Sequence, residues 1–166
     1  MADSQDTLLV RPATSADKDS FLSLVEALAA FEKLPPPDVA AQQRLLNDGF
    51  GPRRRFDLLL AEIGGRAVGY ALFFETYSSF LARPTLYLED LFVRGECRRR
   101  GVGRALFEAC LREAGRRDCG RMEWAVLDWN ENAINFYERL GAHRLREWDV
   151  YRLTEEDLRR LDGLGV

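Results

Sequence analysis

The chain has 166 residues, 46% of them hydrophobic and 31% charged, which is the size and composition of one domain that can bury its own core. Its net charge of −3 argues against nucleic acid as a partner, and its apolar stretches are too short to span a bilayer. Three cysteines without paired spacing and a single histidine, His143, argue against a disulfide framework, a metal site and a Ser-His-Asp triad. We therefore expect a reduced, cytoplasmic protein without metal.

The first half of the chain predicts a strand, two helices and a β-hairpin. The capping-box pattern of Thr14 and Asp17 marks the start of an amphipathic helix, and consecutive prolines from Pro35 stop it. The predicted elements are a strand at residues 8–11, the helix from that capping box through Phe31, a short helix capped by Asp38 and ending near Gly49, and strands at 56–63 and 67–76 joined by Gly64-Gly65.

The second half predicts crossover connections between strands. The predicted elements are a loop at 78–84, a strand at 85–93, a charged loop at 94–100, a helix at 101–116, a strand at 122–127, a helix at 131–140 ended by Gly141, strands at 144–148 and 150–153, and a last helical turn opened by Thr154. No repeat or linker divides the chain. Hairpins followed by β-α-β units indicate one mixed α/β domain over residues 1–166 with a mostly antiparallel sheet.

A glycine-rich loop stands where the strand at 85–93 gives way to a helix. It reads Arg98-Arg99-Arg100-Gly101-Val102-Gly103. Free N–H groups at a helix start favour an anion, glycines allow close approach of a ligand, and arginines suit phosphate. The pattern indicates a pyrophosphate cradle, although Gly-x-Gly alone would favour a solvated basic loop with an ordinary helix start. It matches neither a P-loop nor a full G-x-G-x-x-G fingerprint.

The loop resembles the R/Q-x-x-G-x-G/A acyl-CoA loop of the GNAT acetyltransferase superfamily. Two further segments resemble that family in the same order: residues 86–93 before the loop, and Asn130 through Tyr137 with residues 139–142 after it. The resemblance implies acetyl-CoA as co-substrate, bound by the backbone of the loop. It also implies a twisted sheet with helices on both faces, and a β-bulge that splays two strands to admit the thioester.

A narrower resemblance is to the diamine (spermidine/spermine) and thialysine acetyltransferases. It rests on four segments: residues 11–14, Phe31-Glu32, residues 48–51 and residues 87–90. This subgroup implies a small amine acceptor and a homodimer. Two other functions remain open on the sequence: an acetyltransferase for a protein N-terminus or an antibiotic, and an acetyl-CoA-binding module without catalysis.

Acetyl transfer to an amine needs a base, an oxyanion donor and an acid, because the amine starts as an ammonium and a thiolate leaves. Glu89 is the predicted base, through a water, since burial in an apolar strand would raise its pKa. Asp90 is the alternative, because neighbours on a strand face opposite ways. The oxyanion donor is expected among the amides of residues 91–93. The family resemblance makes Tyr137 the predicted acid, whereas its apolar neighbours alone would favour a core aromatic.

The remaining site residues follow from the resemblance. Expected at the cofactor are Leu91, Phe92, Val93, Arg98, Arg99, Arg100, Gly101, Val102, Gly103, Arg104, Asn130, Ala133 and Phe136. Expected at the acceptor are Phe31, Glu32, Glu89, Asp90, Glu123, Trp124, Ala125 and Glu147. Helix capping alone would explain Asn130, and Glu147 matches the family only across a gap. A solvent-exposed surface position is the competing interpretation for each carboxylate.

Overall fold

The computed structural model describes residues 7–163, which form two compact units, residues 7–125 and 126–163. In the first unit the elements are β1 (Leu8–Pro12), α1 (Lys18–Glu32), α2 (Val39–Phe50), β2 (Asp57–Ile63), β3 (Arg66–Ser78), β4 (Arg83–Val93), α3 (Val102–Arg116) and β5 (Arg121–Glu123). The second unit contains α4 (Glu131–Arg139) and α5 (Glu155–Asp162).

Local signals set most element boundaries as predicted. The Thr14–Asp17 capping box precedes α1, and the Asp38 carboxylate accepts the Ala41 N–H at 2.7 Å to start α2. Gly64 and Gly65 both have positive φ, 58° and 75°, as a two-residue hairpin turn requires. Gly141, with φ of 90°, follows the end of α4.

The sheet has the order β1-β2-β3-β4-β5, in which the first four strands are antiparallel and β5 is parallel to β4. Tyr70, Leu72 and Phe92 face α1 and pack on its buried Phe21 and Leu24. On the opposite face, Leu106 of α3 lies against Gly69 and Val93. The expected α/β fold, with helices on both faces of a mostly antiparallel sheet, is confirmed.

The predicted strands at 144–148 and 150–153 are wrong. A strand needs a neighbour to receive its backbone hydrogen bonds, and the described part of the second unit contains no strand. The apolar residues that suggested these strands are instead exposed: Trp148 at 71%, Val150 at 88% and Tyr151 at 91%. The strand predicted at 122–127 is also shorter, since β5 ends at Glu123.

Within residues 7–163, no helix is both long enough and apolar enough to cross a membrane.

Candidate active site

A β-bulge interrupts β4 at Glu89. Asp90 pairs with Leu72 and Leu88 pairs with Phe73, so Glu89 has no partner on β3. Since Leu72 and Phe73 face opposite sides of the sheet, Leu88 and Asp90 do as well, although they are two residues apart. The bulge expected from the family resemblance is therefore present, and it reverses the alternation of side chains within β4.

The bulge gives the two adjacent carboxylates different environments. Glu89 is exposed, whereas Asp90 is half-buried on the α1 face and accepts a hydrogen bond from the Tyr70 hydroxyl at 3.0 Å. Burial, reinforced by the charges of Glu89 and Glu32, raises the pKa of Asp90 to about 6, against the opposing effect of the Tyr70 hydrogen bond. The sequence predicts a buried Glu89 whose pKa is raised. The predicted burial is wrong, because Glu89 is the unpaired bulge residue and is exposed.

Four of the five predicted acceptor-side carboxylates lie near this bulge. The charges of Glu32 and Glu89 both act on Asp90. Burial raises the pKa of Tyr87, and the charges of Glu89 and Glu123 raise it further. Glu32, at the end of α1, is half-buried. The first unit thus concentrates negative charge where α1, β4 and β5 meet, which suits a cationic ligand.

Glu123 differs from the other three carboxylates, because Arg121 pairs with it at 3.0 Å. The described residues form no ion pair with Glu32, Glu89 or Asp90. The fifth predicted carboxylate, Glu147, lies exposed in the second unit.

Arg98 connects the glycine loop to the acceptor side. Its guanidinium lies over the Phe31 ring at 4.4 Å and within 5.9 Å of the Phe92 ring, and its Nε donates to the Val93 carbonyl at 3.0 Å. Arg98 was expected at the cofactor and Phe31 at the acceptor. Their contact makes them neighbours, so the end of α1 and the start of the loop are held together.

The start of α3 provides unused N–H groups. Gly101 precedes the helix with a φ of 79°, and the helix start has neither a side-chain cap nor an acidic residue in its first turn. The first bond within the helix runs from the Ala105 N–H to the Gly101 carbonyl at 2.9 Å. A Cβ at Gly101 would meet nothing within 4 Å, so the loop is open on that side. These features fit the pyrophosphate of coenzyme A.

β4 and β5 part beside the bulge. Their pairing ends at Tyr87 and Glu123, while β4 continues to Val93. The Arg94 N–H donates to the Val68 carbonyl at 2.9 Å, so by alternation the Phe92 N–H also faces β3. The amides of Leu91 and Val93 therefore face the unpaired side. Of the three amides predicted as oxyanion donors, these two face away from β3 and the Phe92 amide faces β3.

Two further acceptor-side predictions lie beyond the last β4–β5 pair. Trp124 packs edge-on against Phe107 of α3, with ring centroids 5.4 Å apart. Ala125 is exposed. Both therefore follow the point at which the two strands separate, on the side where β4 has no neighbouring strand among the described residues.

The second unit contains the remaining predicted residues. The Asn130 side chain caps α4 by accepting the Ala133 N–H at 3.2 Å, so capping accounts for this asparagine. The Tyr137 ring is half-buried and meets the Phe136 ring edge-on at 5.1 Å. Sequence reasoning missed Tyr70, because a tyrosine in an apolar strand is typical of a core position and only the strand register brings its hydroxyl to Asp90.

Comparison with known proteins identifies a family and several relatives. A family model described as the acetyltransferase (GNAT) family matches residues 22–142. The chain is 34% identical to the thialysine N-epsilon-acetyltransferase of Sus scrofa over 95% of this chain and 98% of that protein. It is 47% identical to the L-ornithine N5-acetyltransferase of Arabidopsis thaliana over 59% of this chain, and spans 43% of that protein.

Among solved structures, an integron cassette protein of V. cholerae superimposes with a TM-score of 0.79, covering 93% of this chain and 97% of that one. The two sequences are 21% identical, so this similarity shows the fold alone.

Proposed function

Because the chain belongs to the GNAT acetyltransferase family and is an acetyl-CoA-dependent N-acetyltransferase, we propose that it acetylates a primary amine of a small polyamine or lysine-like acceptor. The observation that carries the proposal is the group of carboxylates at the β4 bulge. Glu32, Glu89 and Asp90 form no ion pair among the described residues, so a ligand with two separated positive charges would complement them. The names of the thialysine and ornithine relatives support the same acceptor class.

The glycine loop and α3 are proposed to hold acetyl-CoA. Bound there, acetyl-CoA supplies a thioester that an amine can attack. The amides at the start of α3 would receive its pyrophosphate, with the arginines of the loop adding positive charge. The proposed cofactor set is residues 91–93 of β4, residues 98–104 of the loop and helix start, and Asn130, Ala133 and Phe136 of the second unit.

The proton transfers are assigned to two side chains. The acceptor ammonium must lose one proton before it attacks, and we assign this proton to Glu89 through a water, since Glu89 is exposed beside the bulge. As the C–N bond forms and the C–S bond breaks, the nitrogen loses a second proton to water. Tyr137 is proposed to give its phenolic proton to the leaving thiolate and then to regain a proton from water. The amide of Leu91 or Val93 would stabilise the oxyanion.

Two further properties belong to the proposal. A homodimer is supported by the exposed apolar residues at positions 148–151 in the second unit. A cytoplasmic location is supported by three cysteines that form no disulfide, of which Cys97 and Cys110 are buried.

A panel of matched amines tests the acceptor class. Release of the coenzyme A thiol would be measured with thialysine, ornithine, spermidine and 1,4-diaminobutane, and with butylamine, which has the carbon chain of the diaminobutane but one charge fewer. We expect kcat/KM to be at least about tenfold higher for the diamine than for butylamine, because the second ammonium meets the carboxylates. A Glu32→Gln variant should reduce this preference.

Other outcomes would select the alternatives. Equal rates with butylamine and the diamine would contradict the role of the carboxylates. Tight binding of acetyl-CoA without transfer to any amine, peptide N-terminus or aminoglycoside would identify a binding module. Transfer only to a peptide or an aminoglycoside would reassign the acceptor.

A further inference from the structure

Tyr70 places a single hydroxyl at the edge of an apolar cluster. Its side chain is fully buried. Its ring packs edge-on against Phe21 at 5.4 Å and lies tilted against Phe92 at 6.3 Å. The hydroxyl donates to Oδ2 of Asp90 at 3.0 Å. Because neighbouring rings hold the tyrosine in place, this hydrogen bond fixes the direction of the carboxylate.

Asp90 is a half-buried anion without a cation. Among residues 7–163 it forms no ion pair, and its hydrogen bond from Tyr70 uses only Oδ2. The acidic groups near it are Glu32 from α1 and Glu89 from β4, both of which add negative charge. A partly buried carboxylate beside two others requires a positive partner. Oδ1 of Asp90, which does not accept the Tyr70 hydrogen bond, is therefore suited to a ligand ammonium.

We propose that Tyr70 is a positioning residue for the acceptor: its hydroxyl holds the Asp90 carboxylate so that the free oxygen binds the ammonium of the amine. This inference rests on the proposed function and extends it, since Tyr70 is not among the predicted site residues. Tyr70 touches neither acceptor nor acetyl-CoA in this role and acts through Asp90.

The hydrogen bond also sets the pH at which Asp90 is charged. The titratable groups that face Asp90 are Glu32 on α1, Tyr70 on β3 and Glu89 on β4. Of these, only the Tyr70 hydroxyl favours the ionised carboxylate. Removing it would raise the pKa of Asp90 above about 6, so a larger fraction would be neutral near pH 7. The acid limb of kcat/KM for the amine should then move to higher pH.

Tyr70→Phe, Asp90→Asn and the double variant test the inference. Tyr70→Phe keeps the buried ring, so its melting temperature should stay close to that of the wild type. We expect KM for the diamine to rise about tenfold at pH 7, while KM for acetyl-CoA changes less than about twofold. In the Asp90→Asn background the second change should have no further effect on KM for the diamine, because the negative charge that binds the ammonium is already gone. Thr85→Val, which removes a buried hydroxyl of the neighbouring strand β4, should leave the acid limb in place.

The titration of Asp90 can be monitored by carbon-13 NMR of its carboxyl group, and this measurement needs no turnover. The inference predicts a higher midpoint in Tyr70→Phe than in the wild type. An unchanged midpoint with an unchanged KM would overturn it, as would additive effects in the double variant. If the wild type acetylates no amine while the midpoint still shifts, the proposed function fails and the Tyr70–Asp90 pairing survives.

Discussion

At the scale of single residues, adjacent side chains of the candidate site differ sharply in how far they are buried. Glu89 and Asp90 are adjacent in sequence, yet one is exposed and the other is half-buried beside Tyr70. The two proposed roles can therefore be separated. The exposed carboxylate of Glu89 contacts water, whereas the Asp90 carboxylate, which accepts the Tyr70 hydrogen bond, would bind the ligand ammonium. The same division, in which environment rather than residue type decides the role, recurs in enzymes that use paired carboxylates.

Tyr137→Phe tests the proposed acid. Removing the phenolic proton should lower kcat by one or more orders of magnitude, because the leaving thiolate loses its proton donor, while KM for acetyl-CoA stays near the wild-type value. Steady-state kinetics with the best amine would measure both. Tyr77→Phe serves as a matched control, because it removes the hydroxyl of an exposed tyrosine that belongs to neither proposed binding set. An unchanged kcat in Tyr137→Phe would rule out the acid role.

Sequence reasoning located the acidic pair but assigned burial to the wrong member. The two-residue alternation of a strand holds only while the register is continuous, and the bulge at Glu89 breaks it. Tyr70 could not be recognised for a related reason. Its partner is twenty residues away, and only the pairing of Leu72 with Asp90 brings the two together.

At the scale of elements, the bulge can be separated from the carboxylate that it carries. Deleting Glu89 would restore a continuous register, since Leu88 and Asp90 already pair with consecutive residues of β3. We expect this deletion to fold with a melting temperature near that of the wild type but to lose acetyl transfer. Glu89→Ala keeps the bulge and removes only the carboxylate.

Comparing the two variants identifies what the bulge contributes. A deletion at least about tenfold less active than Glu89→Ala would indicate that the bulge geometry matters beyond the glutamate. Equal activities would show that Glu89 acts only through its side chain.

An ion cluster ties β1 to β2 and to the turn before α1. Two Arg11 nitrogens donate to the Asp17 carboxylate at 2.8 Å each, and Arg11 also pairs with Glu62. The hydrogen bonds from Arg11, followed by those from Thr14, hold the pKa of Asp17 well below its ordinary value despite the opposing effect of burial. The cluster therefore stabilises the fold when Asp17 is ionised.

Asp17→Asn should lower the free energy of unfolding by about 2 kcal/mol at pH 7, since it weakens charge-assisted hydrogen bonds. The pKa of Asp17 is lower in the folded protein than in the unfolded chain, where it is near 3.9. The ion cluster therefore stabilises the fold above that pH, and this stability is lost as the pH falls further. The difference between the variant and the wild type should thus shrink below about pH 4. Urea unfolding at several pH values measures it, and a constant difference would contradict the assignment.

Element prediction succeeded where a local signal existed. Asp38, Gly64-Gly65 and Gly141 each mark a boundary by their own backbone or side-chain chemistry, and each is found where expected. It failed at residues 144–153, where alternating apolar residues resemble a strand. A strand depends on a partner elsewhere in the chain or in another chain, and no local pattern supplies one.

At the scale of the whole molecule, the exposed apolar residues at 148–151 predict association. We expect a mass of about twice 19.0 kDa by light scattering after gel filtration. Val150→Asp should shift the protein towards the monomer, because it places a charge in an apolar interface. Val39→Asp, at another highly exposed valine, should leave the mass unchanged. A monomeric wild type would contradict the homodimer.

The strand order β1-β2-β3-β4-β5 also bears on how the chain reaches its native state. β3 and β4 each pair antiparallel with the strand synthesised just before them, through short connections. Local pairings of this kind form faster than distant ones. During synthesis, β2, β3 and β4 can therefore pair before the glycine loop has left the ribosome. Only β1, separated from β2 by two helices, and β5, which follows α3, need longer loops to close.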